Sequence, residues 1–190
     1  HEPEFHAFGY PCYHRISRFE EAVTIIRTLL RKGCVDFEGT FYAARECELR
    51  PRGPRLSGPP ILIGAAGGGD RMLRLVAEHA DLWNAYLVWG RGWPDAVPPL
   101  RDAVDAACAA AGREPATLAR TMAPLVCLPV AGAGPTRPGE EPLAGSPLDL
   151  AEAFRGFARE GVSHLQLLLN PNTEAGLDAL APALELLDRA

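Results

Sequence analysis

The sequence predicts an α/β fold built on a parallel sheet, and two observations carry that reading. Short apolar runs at about 60–64, 81–85, 121–130 and 164–169 alternate with four longer stretches whose apolar residues recur at helical spacing. A chain of 190 residues that is 47% hydrophobic and 23% charged also holds enough apolar material for one sizeable core. Two architectures satisfy the alternation: a doubly wound open sheet, and part of an eight-stranded (β/α) barrel. Four strands are too few to close the second.

Ser17-Arg18-Phe19-Glu20 has the S-x-x-E pattern of a capped helix start, and Phe19, Val23, Ile26 and Leu30 form its apolar stripe. This predicts a helix over about 17–32, ended by Gly33. Val35 to Tyr42 reads as a short hairpin around Glu38-Gly39, and the proline-punctuated stretch Pro51 to Pro60 as a connection. After the strand at about 60–64, Asp70 is positioned to cap a helix that carries Met72, Leu73, Leu75 and Val76 and runs to about His79. Asp81 to Ala85 is the next strand. An aromatic and glycine-rich loop, 86–93, leads to a third helix at about 95–112 with Val97, Leu100, Val104 and Cys108 as its stripe.

Pro115 to Leu118 reads as a short helical turn, and residues 121–130 as a strand whose prolines blur its register. The Gly/Pro tract at 131–145 is too long for a simple connection and reads as a lid or a disordered insertion. Ser146-Pro147 then starts a helix in the favoured cap-then-proline order, and Gly161 ends it. His164 to Leu169 has the composition of a buried strand. Thr173 caps a closing helix that carries Leu177, Leu180, Leu184 and Leu187.

Bulk properties exclude several classes of function. A net charge of -5 and scattered basic residues, with only Arg50, Arg52 and Arg55 grouped, argue against a nucleic-acid partner. Five widely spaced cysteines without a C-x-x-C pair indicate neither a disulfide framework nor a zinc site, and fit a reducing cytoplasm. No apolar stretch approaches the roughly 18 residues that span a bilayer, so no membrane role is expected. The start at His1, in a polar segment that reads as mid-loop, is that of a piece of a longer chain.

Pro60 to Leu75 passes from an apolar run through a glycine-rich loop into a helix. Small residues at Gly64, Ala65, Ala66, Gly67, Gly68 and Gly69 let the backbone approach a ligand, and the N–H groups at the helix start attract an anion such as phosphate. The spacing is not the G-x-G-x-x-G of a dinucleotide fold, and Asn84 rather than an acidic residue ends the next strand, which disfavours a nicotinamide site. Arg71, on the first helical turn, is either a phosphate ligand or a solvent-facing arginine. Trp83 and Asn84, at the carboxyl end of a strand, would line the site in either architecture, with core packing as the other reading of Trp83.

His1, Glu4 and His6 sit in a polar loop suited to cofactor contacts or proton transfer. No H-E-x-x-H pair, nucleophile elbow or G-K-[ST] appears, so metal, hydrolase and P-loop readings have no support.

The chain resembles the luciferase-like monooxygenases, barrel enzymes that use flavin mononucleotide (FMN) or the deazaflavin coenzyme F420. The resemblance rests on His1-Glu2-Pro3-Glu4-Phe5, Phe8-Gly9, Ser17 to Ala22, Val35 to Gly39 with Phe41-Tyr42, Pro59 to Gly64, Arg71-Met72-Leu73, Ala80 to Asn84 and Gly161 to Gln166, in that order and spacing. It implies the carboxyl half of a TIM (β/α)8 barrel, about strands five to eight, spread over residues 1–190 as one partial domain.

It further implies a cofactor phosphate at Gly64 to Gly69, the 1–9 loop beside the ring, and an oxidoreductase acting on a small-molecule substrate by hydride transfer or oxygen activation. The catalytic residues would lie in the missing half, so none is assigned. Three consecutive glycines and Asp70 depart from the usual family loop. An isolated half exposes sheet edges and an apolar interior, so instability or homo-oligomeric self-association is expected. The rival reading is a non-catalytic phospho-ligand or partner-binding α/β module.

Overall fold

A computed structural model describes residues 2–66, 69–88 and 90–189. The chain divides into two compact units, His1–Ile61 and Leu62–Ala190.

The first unit holds α1 (Glu2–Ala7), α2 (Arg15–Lys32) and an antiparallel hairpin of β1 (Cys34–Glu38) and β2 (Ala43–Glu48). The segment read as a polar loop is helical over Glu2–Ala7: acidic Glu2 and Glu4 lie in its first turn and His6 in its last, 3.5 Å from Glu2 one turn away. Helix α2 starts two residues before the expected Ser17. His14, in the left-handed conformation, holds the N-cap position, and its ring lies 5.6 Å from Phe41 while the Arg18 guanidinium stacks 4.5 Å from the same ring. Aromatic packing therefore fixes this entry, with no side-chain cap bond from His14. Gly33 closes α2 with a φ of 85° that glycine adopts without strain.

The hairpin also differs from expectation, since its turn occupies residues 39–42 and the return strand begins at Ala43. The cause lies in α2. The Glu21 carboxylate accepts the N–H groups of Thr40, Phe41 and Tyr42 at 2.8–2.9 Å, which keeps those residues out of the ladder.

In the second unit the order is β3 (Leu62–Gly64), α3 (Asp70–His79), β4 (Leu82–Tyr86), α4 (Val97–Ala110), β5 (Ala119–Ala123), β6 (Leu125–Cys127), α5 (Pro147–Arg159), β7 (His164–Leu165), β8 (Leu168–Asn170) and α6 (Glu174–Asp188). Strands β3, β4, β5 and β7 lie side by side in that order, all parallel, and β6 pairs with β8 in the same sense. Chain order equals spatial order. Right-handed crossovers then place every helix on one face, whereas a doubly wound sheet reverses direction at a switch point. Of the two architectures open to the sequence, the strand order selects the barrel type.

Ile63, Trp83, Ala85 and Met122 point to the helix-covered face and are buried with Leu75 and Val76 of α3, Val104 and Cys108 of α4, and Phe157 of α5. Burial pushes the Cys108 thiol up, as expected for a cysteine that packs as a small hydrophobe. Among the described residues no helix is long and apolar enough to cross a membrane.

The run read as one strand at 121–130 begins at Ala119 and breaks at Pro124, which has no N–H to give to a ladder. The break is echoed next door, where β7 and β8 replace the continuous strand expected over 164–169. Gln166 and Leu168 still donate to Met122 O and Pro124 O at 2.9 and 3.0 Å. This segment was expected to be buried, yet Leu165, Leu167, Leu168 and Leu169 are only half-buried. Within this unit the helices cover a single face of the sheet.

The 131–145 tract separates into two parts. Residues 131–139 are exposed, but Leu143 is fully buried and exchanges backbone bonds of 2.8 Å with Leu125 and Cys127. Strand β4 stops at Tyr86, so the returning chain supplies the partner that the β6 edge would otherwise lack. Glu141 pairs with Arg91, which also holds Asp95. At α5 the expected cap is present as a reciprocal box between Ser146 and Asp149.

Candidate functional site

The glycine-rich loop leaves β3 at its carboxyl end, because β3 runs from Leu62 to Gly64 parallel to its neighbours and the loop then feeds α3. This is the end of a parallel sheet at which ligands bind in barrels. The N–H of Ala65 donates to Asn84 O at 3.0 Å, so the loop extends the β3–β4 ladder by one bond. On the other side the buried indole N–H of Trp83 donates to Ala65 O at 2.8 Å. Ala65 is thus held by strand and side chain together, and is itself buried.

Among the described residues, a Cβ built on Gly64 or on Gly69 meets nothing within 4 Å. Neither glycine is demanded by packing, so the space before them can take a ligand atom. Ala66 is exposed. Gly67 and Gly68 lie outside the described residues, as does His1.

The expected cap Asp70 is instead the first residue of α3. Gly69 takes the N-cap position with extended geometry, and its carbonyl accepts the N–H of Met72 at 2.8 Å and of Leu73 at 3.3 Å. Glycine has no side chain with which to cap, so the N-cap residue makes no side-chain cap bond. Asp70 and Arg71 are both exposed on the first turn. Glu4 is exposed on α1 of the first unit.

Trp83 is 0% exposed and lies on the helix-covered face, which is the packing reading of that residue. Asn84, next along the strand, points to the opposite face. The register aligns Gly64, Asn84, Thr121 and His164 in one row across β3, β4, β5 and β7, and Gln166 follows His164 by one strand repeat on the same face. Asn84 Nδ2 donates to Thr121 Oγ1 at 2.8 Å and to Gln166 Oε1 at 3.4 Å, and Thr121 Oγ1 donates to Trp83 O at 3.1 Å. Tyr86, two residues beyond Asn84, shares this face and is 42% exposed.

Thr121, Gln166 and Tyr86 were not singled out as site residues from the sequence. Period-two alternation from Asn84 to Tyr86, and a lone polar residue inside the apolar run 165–169, were the signals that point to them. Among the described residues, no group of three or more His, Cys, Asp or Glu side chains is placed to hold a metal ion.

A family model described as luciferase-like monooxygenase matches residues 1–129. A pyrimidine monooxygenase, RutA, of Cronobacter sakazakii is 30% identical over 118 residues, which are 60% of this chain and 33% of that protein. The chain therefore spans about a third of the length of the curated relatives it matches. Two solved structures share the fold. One is an F420-dependent secondary alcohol dehydrogenase in complex with an F420-acetone adduct, with a TM-score of 0.71, 15% identity, and coverage of 94% of this chain and 64% of that one. The other is a riboflavin lyase with modified FMN and riboflavin, with a TM-score of 0.73, 13% identity, and coverage of 97% and 60%.

Proposed function

This chain belongs to the luciferase-like monooxygenase family, and we propose that it forms the phosphate-anchoring part of an oxidoreductase that uses FMN or coenzyme F420. The observation that carries this reading is the loop at the carboxyl end of β3, with open space before Gly64 and Gly69 and a helix entrance without a side-chain cap. The residues fit the group. Backbone N–H groups and the positive end of the α3 dipole face a phosphate at this position, and small residues let it come close. Arg71 on the first turn supplies charge that offsets Asp70 beside it.

When bound, the cofactor supplies hydride transfer or, as a flavin, oxygen activation, and the protein orients and shields the ring. In this chain Trp83 and Asn84 hold the loop through Ala65, and the Asn84–Thr121–Gln166 row faces the space beside it. The reaction takes place on a small-molecule substrate, within a protein we place in the cytoplasm.

The test uses flavin fluorescence, titrating the full chain with FMN and with riboflavin, the same ring without its phosphate. FMN is expected to bind at least about tenfold more tightly, since charge-assisted bonds to phosphate are strong ones. Gly64→Ala is expected to leave the fold unchanged, as its Cβ meets nothing, while lowering FMN affinity toward that of riboflavin. Equal affinity for the two flavins would refute the phosphate site.

A further inference from the structure

The polar row beside the loop has a fixed orientation that its hydrogen bonds determine. Thr121 is fully buried, and its hydroxyl has one hydrogen, which goes to Trp83 O at 3.1 Å. Toward Asn84 the same oxygen must therefore accept, which makes the Asn84 atom 2.8 Å away its NH2 group and settles which way the amide points. The second hydrogen of that NH2 faces Gln166 Oε1 at 3.4 Å, which leaves the Gln166 NH2 group pointing away from Asn84 Nδ2. Two groups are left over. Asn84 Oδ1, on a residue 7% exposed, is an acceptor without a partner among the described residues, and Gln166 Nε2 is a donor in the same position.

Both atoms are open to solvent, and an acceptor and a donor held side by side in one orientation present a preorganised pair for a ligand that brings the complementary donor and acceptor. We infer that Asn84 and Gln166 read a lactam edge, the adjacent N–H and C=O of a cyclic amide or imide, with the ring N–H donating to Asn84 Oδ1 and the ring carbonyl accepting from Gln166 Nε2. Thr121 is the positioning residue, since it locks the amide that does the reading. The inference rests on the reading of the carboxyl-end face as the ligand-bearing one. The lactam edge belongs either to the ring of the cofactor or to the substrate, and the experiment separates the two.

The full chain is titrated with FMN and N3-methyl-FMN, whose imide N–H is blocked, and separately with uracil and 1,3-dimethyluracil. Side-chain amide NMR signals of Asn84 and Gln166 are followed throughout. The decisive variant is Gln166→Glu on an exposed side chain, which keeps the oxygen facing Asn84 and turns the remaining donor into a carboxylate. Thr121→Val, which frees the Asn84 amide to turn over, is the second, its fold checked by circular dichroism.

The expected result is a loss of about tenfold or more on methylation and in Gln166→Glu, the size of one lost hydrogen bond to a group left unpaired. Both amide signals are expected to shift on binding. If the effect appears only with the flavins, the cofactor ring carries the edge; if only with the uracils, the substrate does. Unchanged affinity on methylation and in Gln166→Glu, with both amide signals still, overturns the inference even where FMN binds. If neither flavin binds, the phosphate reading falls, and the uracil titration alone decides the lactam pair.

Discussion

Replacing Trp83 by phenylalanine removes the indole N–H that donates to Ala65 O at 2.8 Å and shortens a side chain that is 0% exposed. Leaving the buried carbonyl without this donor costs about 1–3 kcal/mol. The smaller ring vacates roughly 40 Å³, about 1 kcal/mol at some 24 cal/mol per Å³ of cavity. The expected destabilisation is therefore about 3 kcal/mol. With a urea slope of about 2 kcal/mol per molar, the unfolding midpoint should fall by about 1.5 M in circular-dichroism titrations. The same variant releases the loop beside Gly64, so FMN affinity should fall even where the chain remains folded. A midpoint within about 0.2 M of the wild type, with FMN affinity unchanged, would refute the view that the indole holds the loop.

Leu143→Ala should cost about 2–5 kcal/mol, because the side chain is fully buried and its backbone completes the β6 edge, and a thermal melt equal to that of the parent chain would mean that the tract is no part of the core. Brief proteolysis should cut within 131–139 and spare 141–145; cleavage next to Leu143 as fast as in the exposed part would contradict the packing. Burial pushes Glu21 up, but the N–H groups of Phe41, Thr40 and Tyr42 and the charge of Arg18 outweigh it and hold the carboxyl below its ordinary value. A folded-state value below the unfolded one of about 4.3 adds stability that is complete above that pH and disappears as pH falls through the folded value. Glu21→Gln should accordingly flatten the acid limb of the stability profile, and an unchanged slope below about pH 4.3 would count against the bond network.

Local chemistry made the helices and their ends legible. Ser146-Pro147 and Thr173 act as caps through groups that lie within three residues, and α3 runs over the stretch that its apolar spacing gave. The glycine loop was legible for the same reason, since strand, small residues and helix follow one another directly. The starts of α2 and β2 were not, because aromatic rings around Arg18 and the carboxylate of Glu21 act from distant positions. Asp70 gave a cap signal that Gly69, one residue earlier, took by backbone geometry alone.

By itself the sequence determined an α/β chain of four strand–helix units with a glycine-rich loop after the first of its parallel strands. Tertiary structure decided that the strands lie in chain order with helices on one face, that Trp83 faces the core, and that Asn84 meets Thr121 and Gln166. The physical reason is separation along the chain. Periodicity and capping are fixed by neighbours a few residues apart, whereas Asn84 lies 37 residues from Thr121 and 82 from Gln166, so only strand register brings their amides and hydroxyl into one row.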